Sequence, residues 1–219
     1  MGIQEKPPTR PRRYRGVAAG ERVTERRRQF IESGLSCFGT RGYHPVTVRD
    51  LCTEARLTER YFYESFKDRE ALFAAVYEHL IEELRRDFMA AAVPCAPDLS
   101  GMARAGLGVF YRRLQQDPRI ARMLLVEVLT VSQEMEQRAQ SATFGFGDLL
   151  KQMTLAALPQ NVRPKEDMDL MATGLIGCCV HIAMRWSADG YRQPLSTVID
   201  TAMSLFEGTI RQLGAASGH

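Results

Sequence analysis

The chain has 219 residues, of which 45% are hydrophobic, and a formal net charge of +3. This length allows one or two domains with a sizeable core, and the hydrophobic content excludes an intrinsically disordered protein. The longest strongly apolar run, residues 175–184, is far short of the ~20 residues that a membrane span needs. The amino-terminal residues contain no apolar stretch typical of a signal peptide. We therefore expect a cytoplasmic protein without membrane contact.

The first 22 residues are rich in Pro, Gly and Arg and are predicted to form a flexible basic arm. Residues 1–28 contain 9 Lys and Arg against 3 Asp and Glu, whereas residues 29–69 contain 6 of each class. Two roles stay open for the arm: a solvated terminus, or a segment that follows DNA phosphates or enters a minor groove. The arginines concerned are Arg10, Arg12, Arg13 and Arg15.

A first helix is predicted from about Thr24 to Thr40, because apolar residues recur there at helical spacing. Its apolar face consists of Phe30, Ile31, Leu35 and Phe38. Gly42 is a natural stop, and Pro45 prevents the helix from continuing.

A second helix is predicted to begin at about Val48. Thr47 with Asp50 has the spacing of a capping box, in which a hydroxyl and a carboxylate satisfy backbone N–H groups at a helix start. The apolar residues that follow recur at i, i+3, i+4 and i+7 and line one buried stripe; they are Val48, Leu51, Cys52 and Ala55.

A third helix is predicted after Thr58, whose hydroxyl is expected to cap it. Phe62 and Phe66 are spaced by four residues, so both turn inward. Only residues 55–57 separate this helix from the previous one. A turn that short makes the two helices cross at a steep angle and leaves the first turn of the later helix exposed, which is the geometry of a helix-turn-helix.

The segment TVRDLCTEARLTERYFYESF at residues 47–66, preceded by GLSCFGTRGY, resembles the amino-terminal domain of tetracycline-repressor (TetR) family transcription regulators. The resemblance covers roughly residues 24–80. The chain departs from the family pattern at Arg56, where the turn usually has Gly, and a non-Gly residue there carries a positive-φ penalty. Cys52 in place of the usual Ala and Arg69 in place of the usual Lys are milder departures.

The exposed first turn of the later helix is expected to reach base edges in the major groove of double-stranded DNA. The candidate base contacts are Arg49, Glu59, Arg60 and Tyr61. Side chains beside them are better placed for phosphates. These candidates are Thr47, Thr58, Tyr63, Lys67 and Arg69, and the family resemblance supports Thr47, Tyr63 and Lys67 especially.

Beyond Asp68, which is expected to cap a long helix, the sequence shows helical periodicity only. The predicted helices are 102–116, 119–125, 126–158 with a break at Gly145 and Gly147, 166–188 and 195–213. The predicted fold class is all-α: a three-helix DNA-binding domain with a helix-turn-helix, plus a larger helical ligand-binding and dimerisation domain. The predicted divisions are an arm at 1–22, the DNA-binding domain at 23–67 and the larger domain at 68–219.

The last two predicted helices are the most apolar, and their faces are wider than one packed partner requires, which suggests a subunit interface. The candidate interface residues are Leu175, Cys178, Ile182, Met203, Phe206 and Ile210. By resemblance, these two helices would form the family's dimerising four-helix bundle with the same helices of a second subunit.

An apolar ligand pocket is expected in the larger domain, because aromatic and Met side chains are frequent there. Its candidate residues are Phe88, Phe110, Met123, Glu127, Phe144 and His181. Two of these have a second interpretation: Glu127 as an interhelical salt-bridge partner, and His181 as a hydrogen-bonded core or interface histidine.

The sequence contains no pattern typical of catalysis. The five Cys and four His residues have no metal-ligand spacing, and the residues 145–147, Gly-Phe-Gly, lack the strand and third glycine of a nucleotide loop. We expect a kink or loop there, no cofactor, no metal and no enzyme activity.

Together these features predict a homodimeric regulator that binds a pseudo-palindromic operator in double-stranded DNA. The resemblance implies repression that is relieved by a small hydrophobic effector. Two alternatives stay open: a helical ligand-binding protein or enzyme without DNA binding, and a nucleoid-type protein without sequence preference. A steep salt dependence of DNA binding would separate the first from a DNA-binding protein, and full competition by random DNA would identify the second.

Overall fold

The computed structural model describes residues 13–157 and 167–215, with side chains over 20–157 and 167–211. Within these ranges the chain forms ten α-helices, a 3-10 turn and one π-helical segment, and it contains no strand. The helices are α1 (Arg13–Arg41), α2 (Val48–Ala55), α3 (Glu59–Ser65), α4 (Arg69–Ala92), α5 (Leu99–Gln116), α6 (Pro118–Arg122), α7 (Val128–Val131), α8 (Gln133–Ala157), α9 (Met168–Ala188) and α10 (Leu195–Ala215). The 3-10 turn is Val93–Cys95, and the π segment is Met123–Glu127.

Helix α1 begins at Arg13 rather than near Thr24, so the prediction of a flexible arm over 1–22 is wrong for residues 13–22. No proline follows Pro11 in the arm, so nothing in residues 13–22 prevents a helix. The sequence from 17 to 22 contains Ala, Glu and Arg, which are strong helix formers, and these residues extend the helix backwards. The backbone of residues 13–22 is therefore helical where a coil was expected.

Helices α1, α2 and α3 enclose a small aromatic core. Phe30, Phe38, Leu51 and Phe62 are fully buried. The rings of Phe30 and Phe62 lie 5.4 Å apart in an edge-to-face arrangement, which is the geometry that aromatic quadrupoles favour. Because α2 and α3 have only eight and seven residues, their packing against α1, rather than helix propensity, holds them in place.

Helix α4 continues this core into the rest of the molecule. Its start is fixed by Asp68, which accepts a hydrogen bond from the backbone N–H of Ala71 at 2.8 Å, as the sequence predicted. A Cβ atom at Gly34 of α1 would lie 2.7 Å from a methyl carbon of Val76, so the two helices approach closely at that point. The result is one continuous apolar cluster that reaches from Phe30 to Phe206.

The helical run after α5 breaks at a different place from the one predicted. Helix α6, the π segment and α7 run on continuously to Val131, and Ser132 then adopts an extended conformation. The Ser132 hydroxyl accepts a hydrogen bond from the N–H of Met135 and donates one to Glu70 of α4. Gly145 and Gly147 lie inside α8, so the expected break there is wrong.

Helices α5, α8, α9 and α10 form the larger layer around the second half of the core. The Tyr111 hydroxyl of α5 donates to the carbonyl of Cys179 in α9 at 3.2 Å, and the Trp186 indole donates to the carbonyl of Gln193 at 2.9 Å. Helix α9 has a length and composition that would suit a membrane span, a feature that packed helices of soluble proteins share. Four of its side chains are buried against neighbouring helices: Ala172, Cys179, Ala183 and Trp186.

Candidate nucleic-acid interface and ligand cavity

The start of α2 is held by the predicted capping box. The Thr47 hydroxyl accepts from the backbone N–H of Asp50 at 3.2 Å, and the Asp50 carboxylate accepts from the Thr47 N–H at 2.8 Å. The hydrogen bonds from Thr47 are the main reason that the pKa of Asp50 is lowered to about 2. The carboxylate is thus ionised at neutral pH and fixes the entry into the helix-turn-helix.

The turn between α2 and α3 contains one residue in the left-handed region, Arg56, with φ of 55° and ψ of 37°. Its N–H and that of Leu57 bond back to carbonyls of α2, which closes the helix in the manner of a C-terminal cap. Thr58 precedes α3 as predicted, but its hydroxyl makes no capping hydrogen bond, which corrects that expectation. The hydroxyl is exposed instead.

Three of the four candidate base contacts are fully accessible. Arg49, Glu59 and Arg60 are exposed, and Arg60 forms an ion pair with Glu64 at 3.0 Å on the same helix. Tyr61 is half-buried, because the guanidinium of Arg26 lies over its ring at 4.2 Å. The exposed set lies on α3 and on the first turn of α2.

Four of the five candidate phosphate contacts are exposed: Thr47, Thr58, Tyr63 and Lys67. Arg69 differs, because its side chain is half-buried, donates to the carbonyls of Val46 and Tyr43, and lies 5.0 Å from the Tyr43 ring centre. The geometry therefore gives Arg69 a second role, as a clamp on the loop before α2, and its assignment to phosphate stays a prediction.

The basic residues before α2 are less available than the charge count suggested. Arg26 and Arg27 lie over the rings of Tyr61 and Phe66, and Arg28 pairs with carboxylates of its own helix. Of the predicted arm, Arg10 and Arg12 lie outside the described residues. Arg13 and Arg15 lie in the first turn of α1, and their side chains are also outside the description.

A cavity of about 340 Å³ lies in the larger domain between α4, α5, α8 and α9. Phe88, Phe110 and His181 line it, as predicted. Met123, Glu127 and Phe144 do not. Met123 is fully buried in the core, the Glu127 carboxylate faces the loop after α1, and Phe144 is 54% exposed on the outer side of α8.

The sequence reasoning missed most of the cavity wall that α8 supplies. The side chains concerned are Ala139, Gln140, Ala142, Thr143, Phe146, Leu150, Met153 and Thr154. Their spacing by three and four residues is the signal that marks one helical face. A break expected at Gly145 hid this face, because it split the helix in two.

Among the residues that the structure describes, no Asp, Glu, Lys or Arg lines the cavity. Its described polar groups come from Tyr77, Gln140, Thr143, Thr154, Cys179 and His181. The Nδ1 atom of His181 lies 2.9 Å from the carbonyl of Gly177. Since a carbonyl only accepts, Nδ1 carries the proton there, and in the neutral ring Nε2 is left as an acceptor. Burial raises the pKa of both Tyr77 and Cys179 to about 12, so these lining groups stay neutral at pH 7.

The outer side of α9 and α10 carries exposed apolar and small residues that lack cover within the described chain, next to polar residues such as Asp200 and Ser204. Leu170 is 72% exposed and Leu205 is 41% exposed. A Cβ atom at Gly174 or Gly177 would meet nothing within 4 Å. We call the surface around these four residues the α9–α10 face.

The six candidate interface residues are not equally placed on it. Cys178 is exposed on α9, and Leu175, Ile182 and Ile210 are half-buried. Met203 and Phe206 are buried inside the protomer, and Phe206 lines the cavity, so their assignment to the surface is wrong. Both lie on the inner side of α10, a distinction that apolar content alone does not make.

Within the described residues, no group of three or more His, Cys, Asp or Glu side chains is arranged to hold a metal ion. All five cysteines are free thiols in the structure. Three of them, Cys37, Cys52 and Cys179, are buried, as expected for small hydrophobic side chains.

Residues 30–76 match the family model described as "Bacterial regulatory proteins, tetR family". The chain is 22% identical over 200 residues to the uncharacterized HTH-type transcriptional regulator YdgC of Bacillus subtilis, covering 85% of this chain and 93% of that protein. It is 26% identical over 203 residues to the HTH-type transcriptional repressor AcnR of Corynebacterium glutamicum, covering 90% and 98%.

The fold is also similar to solved structures. A crystal structure of the transcriptional regulator FadR from Bacillus subtilis in complex with stearoyl-CoA superposes with a TM-score of 0.69. The two sequences are 16% identical, and the match covers 81% of this chain and 95% of that one. The similarity extends through the larger domain, so it includes the helices around the cavity.

Proposed function

The chain belongs to the tetR family of bacterial regulatory proteins, and from that premise we propose that it is a homodimeric repressor released from its operator by a hydrophobic effector. It is a DNA-binding transcription regulator. The observation that carries the rest is the combination of an exposed helix-turn-helix with a 340 Å³ apolar cavity in the same continuous core. We infer that it acts on DNA in the cytoplasm.

Base recognition falls to Arg49, Glu59 and Arg60. Their exposure on neighbouring helix turns supports contacts to base edges, where an Arg can donate two hydrogen bonds to a guanine. Thr47, Thr58, Tyr63 and Lys67 are assigned to phosphates. Tyr61, which is half-buried under the Arg26 guanidinium, is assigned a smaller part in base recognition. The arm arginines Arg10, Arg12, Arg13 and Arg15 would add non-specific affinity through phosphates.

The effector is assigned to the class of long apolar molecules. A cavity of this volume lies within the range of ligand sites, and its walls offer apolar carbon with a few uncharged polar groups. The FadR neighbour, which was solved with stearoyl-CoA, supports an acyl chain as one member of this class. The absence of ionised side chains from the lining favours a chain whose charged end remains outside.

Dimerisation is assigned to the α9–α10 face. Monomeric proteins rarely expose a broad apolar face, and small residues such as Gly174 and Gly177 let two helices approach closely. We call the helix-turn-helix formed by α2 and α3 the reader. Two copies of the chain related by a two-fold axis would place two readers on the half-sites of a palindromic operator.

The test is fluorescence anisotropy with DNA from upstream of the protein's own gene, over a salt series, with and without stearoyl-CoA. We expect tight binding with a steep salt dependence, because phosphate contacts release counterions. Stearoyl-CoA should raise the dissociation constant of this DNA about tenfold or more. Arg60→Ala should weaken binding to this DNA about tenfold, at ~1–3 kcal/mol per base contact, and leave binding to random DNA nearly unchanged.

Arg112→Ala, on α5 away from the reader, is the matched control and should bind as the wild type does. Equal competition by random DNA would instead identify a protein without sequence preference. A flat salt series would support a helical ligand-binding protein that does not bind DNA.

A further inference from the structure

The loop that precedes the helix-turn-helix, residues 42–46, is held by one buried carboxylate, that of Glu127 in the π segment. One oxygen of Glu127 accepts from the backbone N–H of Tyr43 at 2.8 Å, and the other accepts from Nε of Arg122 at 2.9 Å. Arg122 also donates to the carbonyl of Thr40 at 2.7 Å. Because the Glu127 side chain is only 10% exposed, these bonds have little competition from water.

The backbones around this carboxylate are too close to move independently. Gly42 has φ of 88°, and a Cβ atom there would lie 2.8 Å from Arg122 and 2.9 Å from Glu127. A Cβ atom at Gly39 would lie 2.5 Å from the Cβ and 3.1 Å from the Cα of Arg119. The end of α1 is therefore in direct contact with α6 and with the π segment.

The same short segment also forms part of the cavity wall. Glu127 is the last residue of the π segment, and Leu124 and Leu125 of that segment line the cavity together with Val128 just after it. A π segment has a wider turn than an α-helix and is common at functional sites. A ligand that displaces these leucines must displace the Glu127 backbone with them, since only one or two residues lie between.

From the carboxylate the chain leads directly to the reader. Tyr43 is four residues before Thr47, the cap of α2, and His44 lies 3.1 Å from the carbonyl of Thr130 just beyond the π segment. On its other side the loop is clamped by Arg69 of α4. The loop at residues 42–46 is thus held between the cavity wall and the long helix.

We propose that Glu127 is the positioning residue that transmits occupancy of the cavity to the helix-turn-helix, through its bond to the Tyr43 N–H. This proposal rests on the proposed function, because it specifies how the same reader is regulated. Because Glu127 does not line the cavity, its removal should weaken the effect of cavity occupancy on operator binding more than it weakens ligand affinity.

A double-mutant cycle tests this route without an identified effector. Ala139→Phe places a ring in the cavity as a substitute for a ligand, and Glu127→Gln removes the charge and one of the two acceptor oxygens. In the wild-type background, Ala139→Phe should raise the operator dissociation constant about tenfold. In the Glu127→Gln background the same change should raise it less than about twofold to threefold.

Glu83→Gln is the matched control, because Glu83 also pairs with an arginine between two helices but contacts nothing in the reader. In that background Ala139→Phe should keep its full effect. Arg122→Gln, at a side chain that is 40% exposed, is the second variant if Glu127→Gln does not fold, and it should also reduce the effect. An equal effect of Ala139→Phe in all backgrounds, or no effect in any, would overturn the proposal.

Amide hydrogen exchange of Tyr43 distinguishes failure of this inference from failure of the proposed function, because it needs no DNA. Ala139→Phe should accelerate exchange at the Tyr43 N–H in the wild-type background. In Glu127→Gln, exchange should be fast already and respond little to Ala139→Phe. If the protein binds no operator but shows this exchange pattern, the proposed function is wrong and the route through Glu127 stands. If exchange at Tyr43 does not respond to Ala139→Phe, the route through Glu127 is wrong.

Discussion

Arg56 is the residue whose backbone the helix-turn-helix strains most. Its φ of 55° lies in the left-handed region, where a Cβ atom crowds the following carbonyl. The position is nevertheless fixed, because the N–H groups of Arg56 and Leu57 satisfy the last carbonyls of α2. The exposed guanidinium is one reason for an arginine to be kept there, since it lies beside the proposed DNA surface.

Arg56→Gly should raise the free energy of unfolding by about 0.5–1 kcal/mol, because Gly adopts this conformation without steric cost. Urea denaturation followed by circular dichroism measures the change. Thr53→Gly, at an exposed position inside α2 with ordinary helical geometry, is the control and should lower the stability by a similar amount. Destabilisation by both substitutions would contradict the strain at Arg56.

At the scale of the element, α2 has only eight residues, and its stability therefore depends on its capping box. Helices of this size are marginal alone, so the cap and the burial of Leu51 and Cys52 together hold α2 in place. The hydrogen bonds from Thr47 are the first cause of the lowered pKa of Asp50, and Arg41, at 3.3 Å, adds to it. The stability of α2 is thus linked to pH.

Thr47→Ala should cost about 1 kcal/mol at pH 5 through loss of the cap. Because the pKa of Asp50 is about 2 in the folded protein and higher in the unfolded chain, its stabilising effect is present above pH 4 and is lost as pH falls towards 2. The difference between wild type and Thr47→Ala should therefore shrink from pH 5 to pH 2.5 in urea titrations. A difference that grows on acidification would contradict the assignment.

At the scale of the whole molecule, the α9–α10 face is the proposed dimer interface, which would decide whether two helix-turn-helix units act together. Leu170 and Leu205 are exposed on this face, whereas Met203 and Phe206 on the inner side of α10 belong to the protomer core. Substituting an outer residue should therefore separate the subunits and leave the protomer folded.

Leu205→Arg should convert the dimer to monomer in sedimentation velocity, because it places an unpaired charge in an apolar contact. Operator affinity should fall at the same time, since one half-site alone is bound weakly. Val93→Arg, at a 52% exposed residue in the turn after α4, is the control and should remain dimeric. A dimer that survives Leu205→Arg with full DNA affinity would place the interface elsewhere.

The sequence predicted the reader in detail because its signals are local. The capping box at Thr47 and Asp50, the cap at Asp68 and the inward Phe62 and Phe66 each depend on residues within one or two turns. The positive φ of Arg56 was also predicted from the sequence, because only three residues separate α2 from α3 and such a turn favours a residue in the left-handed region. The extension of α1 to Arg13 was missed because proline and arginine content outweighed the helix formers between them.

The sequence by itself thus determined the fold class, the resemblance to the tetR family and the position of the helix-turn-helix, because periodicity and capping are properties of neighbouring residues. Only the tertiary structure decided which apolar residues face the cavity, the core or the α9–α10 face, since Phe206 and Leu205 are adjacent in sequence and differ only in direction. It also decided the roles of Arg69 and Glu127. Their partners, the loop carbonyls and the Tyr43 N–H, lie 23 to 84 residues away along the chain.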